Sequence, residues 1–471
     1  MPEGRLRWRD VYSEAGLYKA AVALYSKPVF DWRKGLSHSG DGKTFYDFAR
    51  GGLGRMASLH RSLAEEDFSF RPGVRLDYNL NGKERSFYIY PWKERLVDLL
   101  LYRLLSGRKE FAFSPASYAY RLSGGGVDLC QRAIRGALSR ADGPSYLVKR
   151  DISNYFPSID HSLLLERLAG AVDEGDYLFH LLESRVRFSY AGPLGPVTAE
   201  QGVPFGTPVA CFLSNVYLTP VDRDLCSMRD VRYFRYADDF LAVAPTRDSA
   251  SAAAAALDGW FSRLKLSSKA THSLNVRFAR TGLPSADAGE GFPDAGKFRH
   301  LGLEYCVDGN VRLSRDKFRK ICNIFRRALK RAGSRLRKTK EEGKRLALAV
   351  RAAAEAASSV RRNVAIIDYY LRHVTDEGQL RLLDRWVAEE VLAVALGRGH
   401  KKGNFRVCGF GRLRSMGLPS LAHRARLIKH GIVKAPFFVR RGPAVNNLGA
   451  TVRPACGETP VFSPCPEAAA G

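Results

Sequence analysis

The chain has 471 residues, of which 45% are hydrophobic and 26% are charged, and its formal net charge is +27. This length predicts two to four packed units, and the composition excludes a disordered or fibrous protein. No apolar run is long enough to cross a membrane and no apolar signal segment follows Met1, so we expect a cytoplasmic protein rather than a secreted or membrane-spanning one.

The eight cysteines are scattered along the chain, with no Cys-x-x-Cys pair and no matching histidine spacing. Zinc sites and disulfide frameworks both require cysteines at recognisable short spacings. We therefore expect neither of them, which agrees with a reducing compartment.

The positive charge is concentrated toward the C-terminus. Residues 312–441 hold 33 Lys and Arg against 10 Asp and Glu, so this region supplies +23 of the net charge. A surplus of this size predicts a polyanionic partner, most simply a nucleic acid. We expect the nucleic-acid-binding surface in this region and the chemistry upstream of it.

The apolar pattern predicts four segments in chain order. Residues 1–70 predict helices joined by loops, and residues 71–311 alternate short apolar runs with helical patterns, which indicates a mixed α/β unit. Residues 312–441 are mainly helical in pattern, and residues 442–471, rich in Pro, Gly and Ala, predict a loose tail. The three long predicted helices are a basic amphipathic one over Arg315–Arg337, an alanine-rich one over Lys344–Ser359 and an apolar one over Gln379–Leu396.

Two acidic sites interrupt strand-like apolar runs. Asp151 follows the apolar residues 146–148, which places its carboxylate at the rim of a sheet, where it can bind a hard cation. Asp238 and Asp239 lie between two apolar runs within Arg235–Val243, a pattern typical of a hairpin tip. Adjacent like charges repel, so we expect a bound cation to compensate them.

A segment rich in glycine and proline, Gln201–Pro208, lies between the two acidic sites and leads into a predicted helix over Val209–Leu218. A glycine-rich turn before a helix lets the backbone approach a ligand closely. An isolated Asp-Asp pair is most often a solvated turn. The joint occurrence of the three segments instead favours a site where two Mg²⁺ ions support in-line nucleotidyl transfer.

Together these motifs resemble those of reverse transcriptases, and they occur in the order expected for that family. Tyr236–Asp239 resembles the Tyr-Ala-Asp-Asp motif, Asp151–Asp160 the first carboxylate motif, and Gln201–Asn215 the template-and-nucleotide motif. Phe87–Leu105 and Phe113–Ile134 are similar to the fingers of group II intron and related bacterial enzymes. The resemblance covers about residues 50–310.

The resemblance implies an α/β right-hand polymerase. Mixed α/β fingers and a palm with an antiparallel sheet would occupy residues 71–311, and an all-helical basic thumb and C-terminal region would follow. It also implies an RNA-directed DNA polymerase that uses two Mg²⁺ ions, or Mn²⁺ in their place. The ligands would be Asp151, Asp238, Asp239 and the carbonyl oxygen of Ile152, and the partners an RNA template, a cDNA product and deoxynucleoside triphosphates.

The same resemblance implies residues that bind the incoming nucleotide. Phe156 matches the bulky residue that packs under the sugar and excludes a ribose 2′-hydroxyl, although simple core packing also explains it. Gln201 and Gly202 would line the nucleotide.

Three basic residues complete this set. Lys83 and Arg85 are candidates for contacts with the triphosphate, and Lys269 matches a lysine near the end of the palm that protonates pyrophosphate. A solvated turn explains the first two, and an ordinary surface lysine the third, about equally well.

The resemblance continues into the basic region. Lys297–Leu303 is similar to the hairpin that binds the primer end, which includes Leu301 and Gly302, and Asp308-Gly309 would supply its tight turn. The stretch His400–Leu418 mixes basic, aromatic and glycine residues, which suits structured RNA, although an exposed basic loop explains it too. The candidate RNA-binding side chains are Arg326, Arg327, Lys330, Arg331, Lys401, Lys402 and Arg406.

The sequence departs from group II intron enzymes after the thumb-like helices, where it shows no zinc-ribbon or His-Asn-His endonuclease pattern. It also shows no integrase, protease or RNase H pattern. The architecture is most similar to the defence-associated bacterial reverse transcriptases, which protect against phage and often copy a cognate non-coding RNA. Two alternatives stay open: an RNA-binding maturase or scaffold of the group II intron type, and a template-independent or protein-primed DNA polymerase.

Overall fold

The computed structural model describes residues 4–26, 39–80, 83–279, 291–357, 362–400 and 402–432. Within these ranges the chain forms two compact units, divided after residue 276, and residues 139–144 cluster with the second unit. None of the helices in the described ranges is long and apolar enough to cross a membrane. The predicted tail, residues 442–471, lies outside the described ranges.

The first unit combines helices with three antiparallel sheets. Its helices are α1 (Trp8–Val11), α2 (Glu14–Ser26), α3 (Phe45–Arg50), α4 (Gly52–Ala64), α5 (Trp92–Leu105), α6 (Val127–Ser139), α7 (His161–Ala169), α8 (Tyr177–Val186), α9 (Pro208–Ser227) and α10 (Arg247–Arg263). Its strands are β1 (Val74–Leu80), β2 (Lys83–Ile89), β3 (Ser145–Asp151), β4 (Ser189–Gly192), β5 (Gly195–Thr198), β6 (Arg232–Tyr236), β7 (Asp239–Ala244) and β8 (Leu274–Phe278), the last of which contains the unit boundary.

A four-stranded sheet in the order β6-β7-β3-β8 forms the centre of this unit. Strand β7 pairs antiparallel with both β3 and β6. Phe240–Ala244 of β7 are all buried, because helices such as α10 pack on the sheet. This continuous apolar run explains why the sequence predicts a buried strand here rather than one with alternating polar residues. The expected mixed α/β unit with an antiparallel sheet is confirmed.

The hairpin β1–β2 pairs from Val74 with Ile89 through Leu80 with Lys83. It is tied to the glycine-rich segment because the Tyr88 amide donates to the Phe205 carbonyl oxygen at 3.0 Å.

A buried ion pair lies beneath the same region. Asp98 of α5 accepts from Arg185 of α8 at 2.9 Å, and both side chains are almost fully buried. The Arg185 guanidinium also stacks 3.9 Å from the centre of the Tyr90 ring. Buried charges are tolerated when they are paired in this way.

The second unit begins with a small sheet and continues in helices. Its strands are β9 (Lys297–His300), β10 (Leu303–Cys306) and β11 (Val311–Leu313), in the order β11-β10-β9, and its helices are α11 (Arg315–Lys338), α12 (Glu342–Ala357), α13 (Arg362–His373), α14 (Glu377–Leu396), α15 (Phe410–Ser415) and α16 (Leu421–Lys429). The expected boundary between residues 311 and 312 falls inside β11. The helical C-terminal region is confirmed.

The tight turn of the β9–β10 hairpin differs from the sequence expectation. Leu301 and Gly302 make this turn, with φ values of +47° and +84°. Asp308-Gly309 instead joins β10 to β11, where the Gly309 amide donates to the Cys306 carbonyl oxygen at 2.9 Å. A two-residue turn with positive φ at both positions fits the twist of paired strands. Gly302 was the one sequence signal for a turn at this place, because glycine adopts positive φ readily.

The three long helices predicted after the hairpin are present as α11, α12 and α14. Helix α11 is amphipathic: Ile321, Phe325 and Leu329 are buried, while its basic side chains lie on the exposed face. Helix α13 was not predicted. It is tied to α16 because Arg424 donates to both carboxylate oxygens of Asp368.

Candidate active site

The β6–β7 hairpin and the end of β3 bring the predicted aspartates to one edge of the central sheet. Asp151 lies directly opposite Asp239 in the antiparallel register, and Tyr236 pairs with Asp239 to close the hairpin. The Ile152 amide donates to the Asp238 carbonyl oxygen at 3.2 Å, which holds the turn against β3. Asp151 and Asp239, which are 88 positions apart in sequence, are therefore adjacent in the sheet.

The turn has an unusual backbone at Ala237, whose φ is +57°. Side chains with a Cβ seldom occupy this left-handed region, so neighbouring groups must hold it in place. The Ala237 carbonyl oxygen accepts from Arg235 Nη1 at 3.0 Å. Arg235 thus holds the backbone of the turn between β6 and β7.

Arg235 is fully buried, and besides the Ala237 carbonyl oxygen its donors reach three side chains. Nε donates to Asp222 Oδ1 at 2.6 Å, and Nη2 donates to the second Asp222 oxygen and, at 2.8 Å, to Ser117 Oγ. Nη1 donates to Asn215 Oδ1 at 3.1 Å. Tyr233 also donates to Asp222 Oδ1, at 2.9 Å. This network links α9 to the catalytic hairpin, and sequence reasoning missed it.

Two lysines face the aspartates. Lys269 Nζ donates to Asp151 Oδ2 at 2.9 Å and to the Ile152 carbonyl oxygen at 2.8 Å. Lys149 Nζ lies 3.5 Å from Asp239 Oδ1. Lys269 therefore contacts two of the predicted metal ligands directly. Lys149 was missed, although strand alternation places it on the same face of β3 as Asp151.

The Asp238 carboxyl group has a perturbed pKa. Burial raises its pKa from the ordinary 3.8 to about 6, and the neighbouring charge of Asp151 adds to the shift. A carboxylate that is buried beside another one is stabilised by a cation, and carboxylate and carbonyl oxygens are the donors that Mg²⁺ prefers. The residues therefore fit a divalent ion chemically.

In the side-chain arrangement as it stands, no group of three or more Asp, Glu, His or Cys residues within the described ranges is placed to hold a metal ion. Asp151 and Asp239 each lie beside a lysine. For a metal ion to bind at this edge, Asp151 would have to release Lys269, and Asp239 would have to release Lys149.

The glycine-rich segment packs directly against the first carboxylate motif. Gly202 donates its amide to the Ile159 carbonyl oxygen at 2.7 Å, and its φ is +85°. A Cβ at this position would lie 2.9 Å from Pro157 Cα, so only glycine fits. His161 Nε2 donates to the Gly202 carbonyl oxygen at 2.7 Å, and burial lowers the pKa of this histidine.

Phe156 lies in an aromatic cluster that joins the two segments. Its ring centre is 4.7 Å from that of Phe205 and 6.2 Å from that of Tyr120. The ring centre of Phe205 is in turn 4.9 Å from that of Phe87 on β2. With only 9% of its surface exposed, Phe156 packs as a core residue. Its role in sugar selection stays a prediction.

The remaining nucleotide candidates differ in exposure. Gln201 and Arg85 are exposed, the latter on β2 opposite Tyr78. The side chain of Lys83 lies outside the described residues, and so does Lys401 of the RNA-binding set.

The basic candidates of the second unit are not equivalent. Arg326 Nε lies 3.3 Å from Glu390 Oε1, and its guanidinium lies 5.2 Å from the centre of the Trp386 ring. Arg327, Lys330 and Arg331 are exposed on the same helix, and Lys402 and Arg406 are exposed in the 3₁₀ turn Lys402–Arg406. Leu301 and Gly302 form the tip of the β9–β10 hairpin, where Ser314 Oγ donates to the Gly302 carbonyl oxygen at 3.0 Å.

Comparison with known families decides the assignment. Residues 82–303 match the sequence model of the family described as reverse transcriptase (RNA-dependent DNA polymerase). The chain carries a reverse transcriptase domain. The matched residues include Asp151, Asp238 and Asp239. Enzymes of this family use divalent metal ions.

Several solved telomerase structures are similar in fold to this chain. One is an apo telomerase from Candida tropicalis truncated from its C-terminal domain, with 12% identity, a TM-score of 0.39 and coverage of 52% of this chain and 55% of that chain. The second is a telomerase from Candida albicans in complex with a fragment of telomeric RNA, with 10% identity, a TM-score of 0.40 and coverage of 82% of this chain and 71% of that chain. Another is an apo telomerase from Candida tropicalis, with 12% identity, a TM-score of 0.41 and coverage of 76% of this chain and 63% of that chain. The chain spans about half the length of the first of these. No curated protein sequence matches the chain.

Proposed function

We propose that the domain transfers deoxynucleotides to a primer end with Asp151, Asp238 and Asp239 as the ligands of two Mg²⁺ ions and the Ile152 carbonyl oxygen as a further ligand. The observation that carries this proposal is the register that sets Asp151 opposite Asp239, with Asp238 at the intervening turn. When bound, such ions activate the attacking hydroxyl and stabilise the charge on the leaving group.

Lys269 has two tasks in this proposal. Before a metal binds, its Nζ donates to Asp151 Oδ2, which balances the charge of that carboxylate, and to the Ile152 carbonyl oxygen. Its ammonium also carries the proton that pyrophosphate takes up on leaving. Its backbone is fixed for these tasks, since the Lys269 amide donates to the Asp151 carbonyl oxygen at 2.7 Å.

We assign the fingers and palm to residues 71–311 and the thumb and RNA-binding region to residues 312–441, with a helical N-terminal extension before them. The template would be a cognate structured non-coding RNA that the enzyme copies in bacterial antiphage defence. The charge surplus of residues 312–441 and the exposed basic face of α11 support an RNA ligand. A defence role rests on the resemblance to defence-associated enzymes.

Two alternatives compete with this proposal. A maturase or RNA-binding scaffold of the group II intron type would use the same basic surface, and a template-independent or protein-primed polymerase would use the same aspartates. The joined set of Asp151, Asp238 and Asp239 favours catalysis over a scaffold, because a scaffold needs none of them.

Sequencing the RNA and the cDNA that co-purify with the full chain tests these possibilities together. We expect one enriched structured RNA and a cDNA complementary to part of it, which disappears when Asp238 and Asp239 are changed to Ala. An enriched intron RNA without cDNA would support the maturase instead. A cDNA with no complement in the bound RNA would support the template-independent polymerase.

Phe156→Val should raise the incorporation of ribonucleotides relative to deoxynucleotides. A smaller side chain at this position leaves room for the 2′-hydroxyl if Phe156 lies under the sugar. The measurement is the ratio of kcat/KM for matched ribo- and deoxynucleoside triphosphates on one primer–template. Phe87→Leu is the control, because Phe87 joins the same aromatic cluster through Phe205. An unchanged ratio in Phe156→Val would assign this residue to core packing alone.

Changing Arg327, Lys330 and Arg331 to Gln should flatten the salt dependence of RNA binding. Each phosphate contact contributes about 0.7–0.9 to the slope of log K against log salt, so the triple variant should lose about two units. Arg326→Gln should change the slope least, because Glu390 and Trp386 already engage Arg326. An unchanged slope in the triple variant would exclude this helix face as a phosphate-binding surface.

A further inference from the structure

A pocket on the second unit lies outside the polymerase motifs. It encloses about 350 Å³ and is lined by Arg381, Asp384, Arg385, Phe405 and Phe410. The first three residues share one face of α14, since they are spaced by three and four positions. Phe405 comes from the 3₁₀ turn Lys402–Arg406, and Phe410 begins α15. The volume falls within the range of ligand sites in proteins.

The acidic member of the pocket is already engaged. Asp384 accepts from Ser420 Oγ and from the Leu421 amide, both at 2.6 Å, so it is held at the start of α16. It therefore does not offer a free carboxylate to a cationic ligand. The groups that remain for a ligand are two guanidinium groups and two phenyl rings.

The two arginines are held only loosely. Arg381 pairs with Glu377 at 3.2 Å and Arg385 with Glu389 at 3.0 Å, and both arginine side chains are exposed. Exposed pairs one helical turn apart contribute little to stability, so a phosphate can replace the glutamate at small cost. Arginine also binds phosphate oxygens with two parallel hydrogen bonds.

The surroundings favour an anionic ligand with a flat apolar part. Residues 397–432 contain nine Lys and Arg and no Asp or Glu. Phe410 is 39% exposed, a large fraction for an aromatic ring in a folded unit that is otherwise well packed. Aromatic rings beside basic groups are how proteins bind unpaired nucleotides, because the base stacks on the ring while the phosphate meets the charge.

We propose that this pocket binds an unpaired nucleotide of the RNA partner, with Phe405 and Phe410 contacting the base and Arg381 and Arg385 the adjoining phosphates. The inference rests on the proposed function in that the partner is an RNA. A double helix provides the phosphates but keeps its bases inside, so this pocket selects single-stranded over double-stranded RNA.

The test measures binding of the full chain to a short single-stranded RNA and to an RNA duplex of equal length by fluorescence anisotropy, without nucleotides. Phe410→Leu should weaken single-strand binding about tenfold and leave duplex binding unchanged, because one stacking contact is lost. Phe410→Tyr should restore it. Leu382→Ala is the control, since Leu382 is exposed on α14 but does not line the pocket.

A second pair of variants tests the charge. Arg381→Gln should weaken single-strand binding severalfold, whereas Arg351→Gln should leave it within about twofold of the wild type, since Arg351 does not line the pocket and one exposed charge adds little. The two arginines are matched: their side chains are 77% and 78% exposed, and each pairs with a glutamate four positions away.

Three results would overturn the proposal. Phe410→Leu could weaken both RNAs equally, which would show that the ring only supports the fold, or it could weaken neither, which would leave the pocket to a protein ligand. Equal losses in the two arginine variants would show that only total charge matters. Because these measurements need no turnover, a chain that binds RNA through this pocket but incorporates no nucleotide would contradict the proposed function and leave this inference standing.

Discussion

Changing Asp238 and Asp239 together to Ala should reduce nucleotide incorporation by about a thousandfold or more. Metal-assisted stabilisation of the transition state supplies several kcal/mol, and each 1.4 kcal/mol that is lost costs tenfold in rate. Primer extension on an RNA template measures the loss, and RNA binding by the same variant serves as the control. Activity near the wild-type level with intact RNA binding would contradict the assignment of Asp238 and Asp239 as metal ligands.

Asp238 offers a sharper version of this experiment, because it should affect stability and activity in opposite directions. Its pKa of about 6 in the folded chain lies above the ordinary 3.8. The folded state therefore holds a proton between these pH values that the unfolded chain has lost, so this group reduces stability as the pH rises through that window.

Asp238→Asn removes this penalty, since the amide stays neutral. At pH 7 and without divalent metal, the free energy of unfolding should rise by about 1–3 kcal/mol while incorporation is lost. Asp258→Asn is the control, because Asp258 is half-exposed and pairs with Arg150 away from the catalytic turn. A variant that is less stable than the wild type at pH 7 would show that the Asp238 carboxylate is not repelled by its surroundings.

The sequence predicted the parts of the site that depend on short-range patterns. Asp151 ends an apolar strand and Asp238-Asp239 interrupts another, and alternation along a strand is a local property. Gly202 was predictable because a backbone that approaches another segment this closely excludes a side chain. For the aspartates the physical constraint acts within about ten residues of chain, whereas the residue that crowds Gly202 is Pro157, 45 positions away.

The parts that sequence reasoning missed depend on distant partners. Arg235 joins Asp222, 13 positions away, to Ser117, 118 positions away, and no periodicity links these three residues. A charged residue inside the apolar run of β6 was the only available indication. Helix α13 was not singled out within the region predicted to be helical, although Ile367, Tyr370 and Leu371 are buried at helical spacing.

Helix α9 shows how local rules can also mislead. The predicted helix ended at Leu218, two residues before Pro220, and a proline inside a helix removes a backbone donor. The helix continues through Pro220 to Ser227, and this extension places Asp222 under the catalytic hairpin. Burial of Val221 and Leu225 compensates for the missing hydrogen bond. The partner of Arg235 therefore lies in a segment that local rules exclude from the helix.

Arg235→Met should lower the free energy of unfolding by about 3–5 kcal/mol and reduce kcat as well. The variant leaves Asp222 buried without its countercharge, which accounts for the loss of stability. It also removes the donor to the carbonyl oxygen of Ala237, the left-handed residue directly before Asp238. Denaturant unfolding measures the first effect and single-nucleotide incorporation the second, but this variant alone cannot separate them.

The double variant Arg235→Met with Asp222→Asn separates the two effects. The amide introduced by Asp222→Asn is neutral and can still accept from Tyr233, so most of the stability should return. The Ala237 carbonyl oxygen would still lack its donor, and misplacement of the turn by about 1 Å should keep kcat down by about a hundredfold, with KM changed far less. The matched control is the buried pair Arg185–Asp98, in which Arg185→Met with Asp98→Asn should restore stability and leave kcat near the wild type. If kcat recovered together with stability in the Arg235 double variant, Arg235 would be a purely structural residue and the turn would hold its conformation without it.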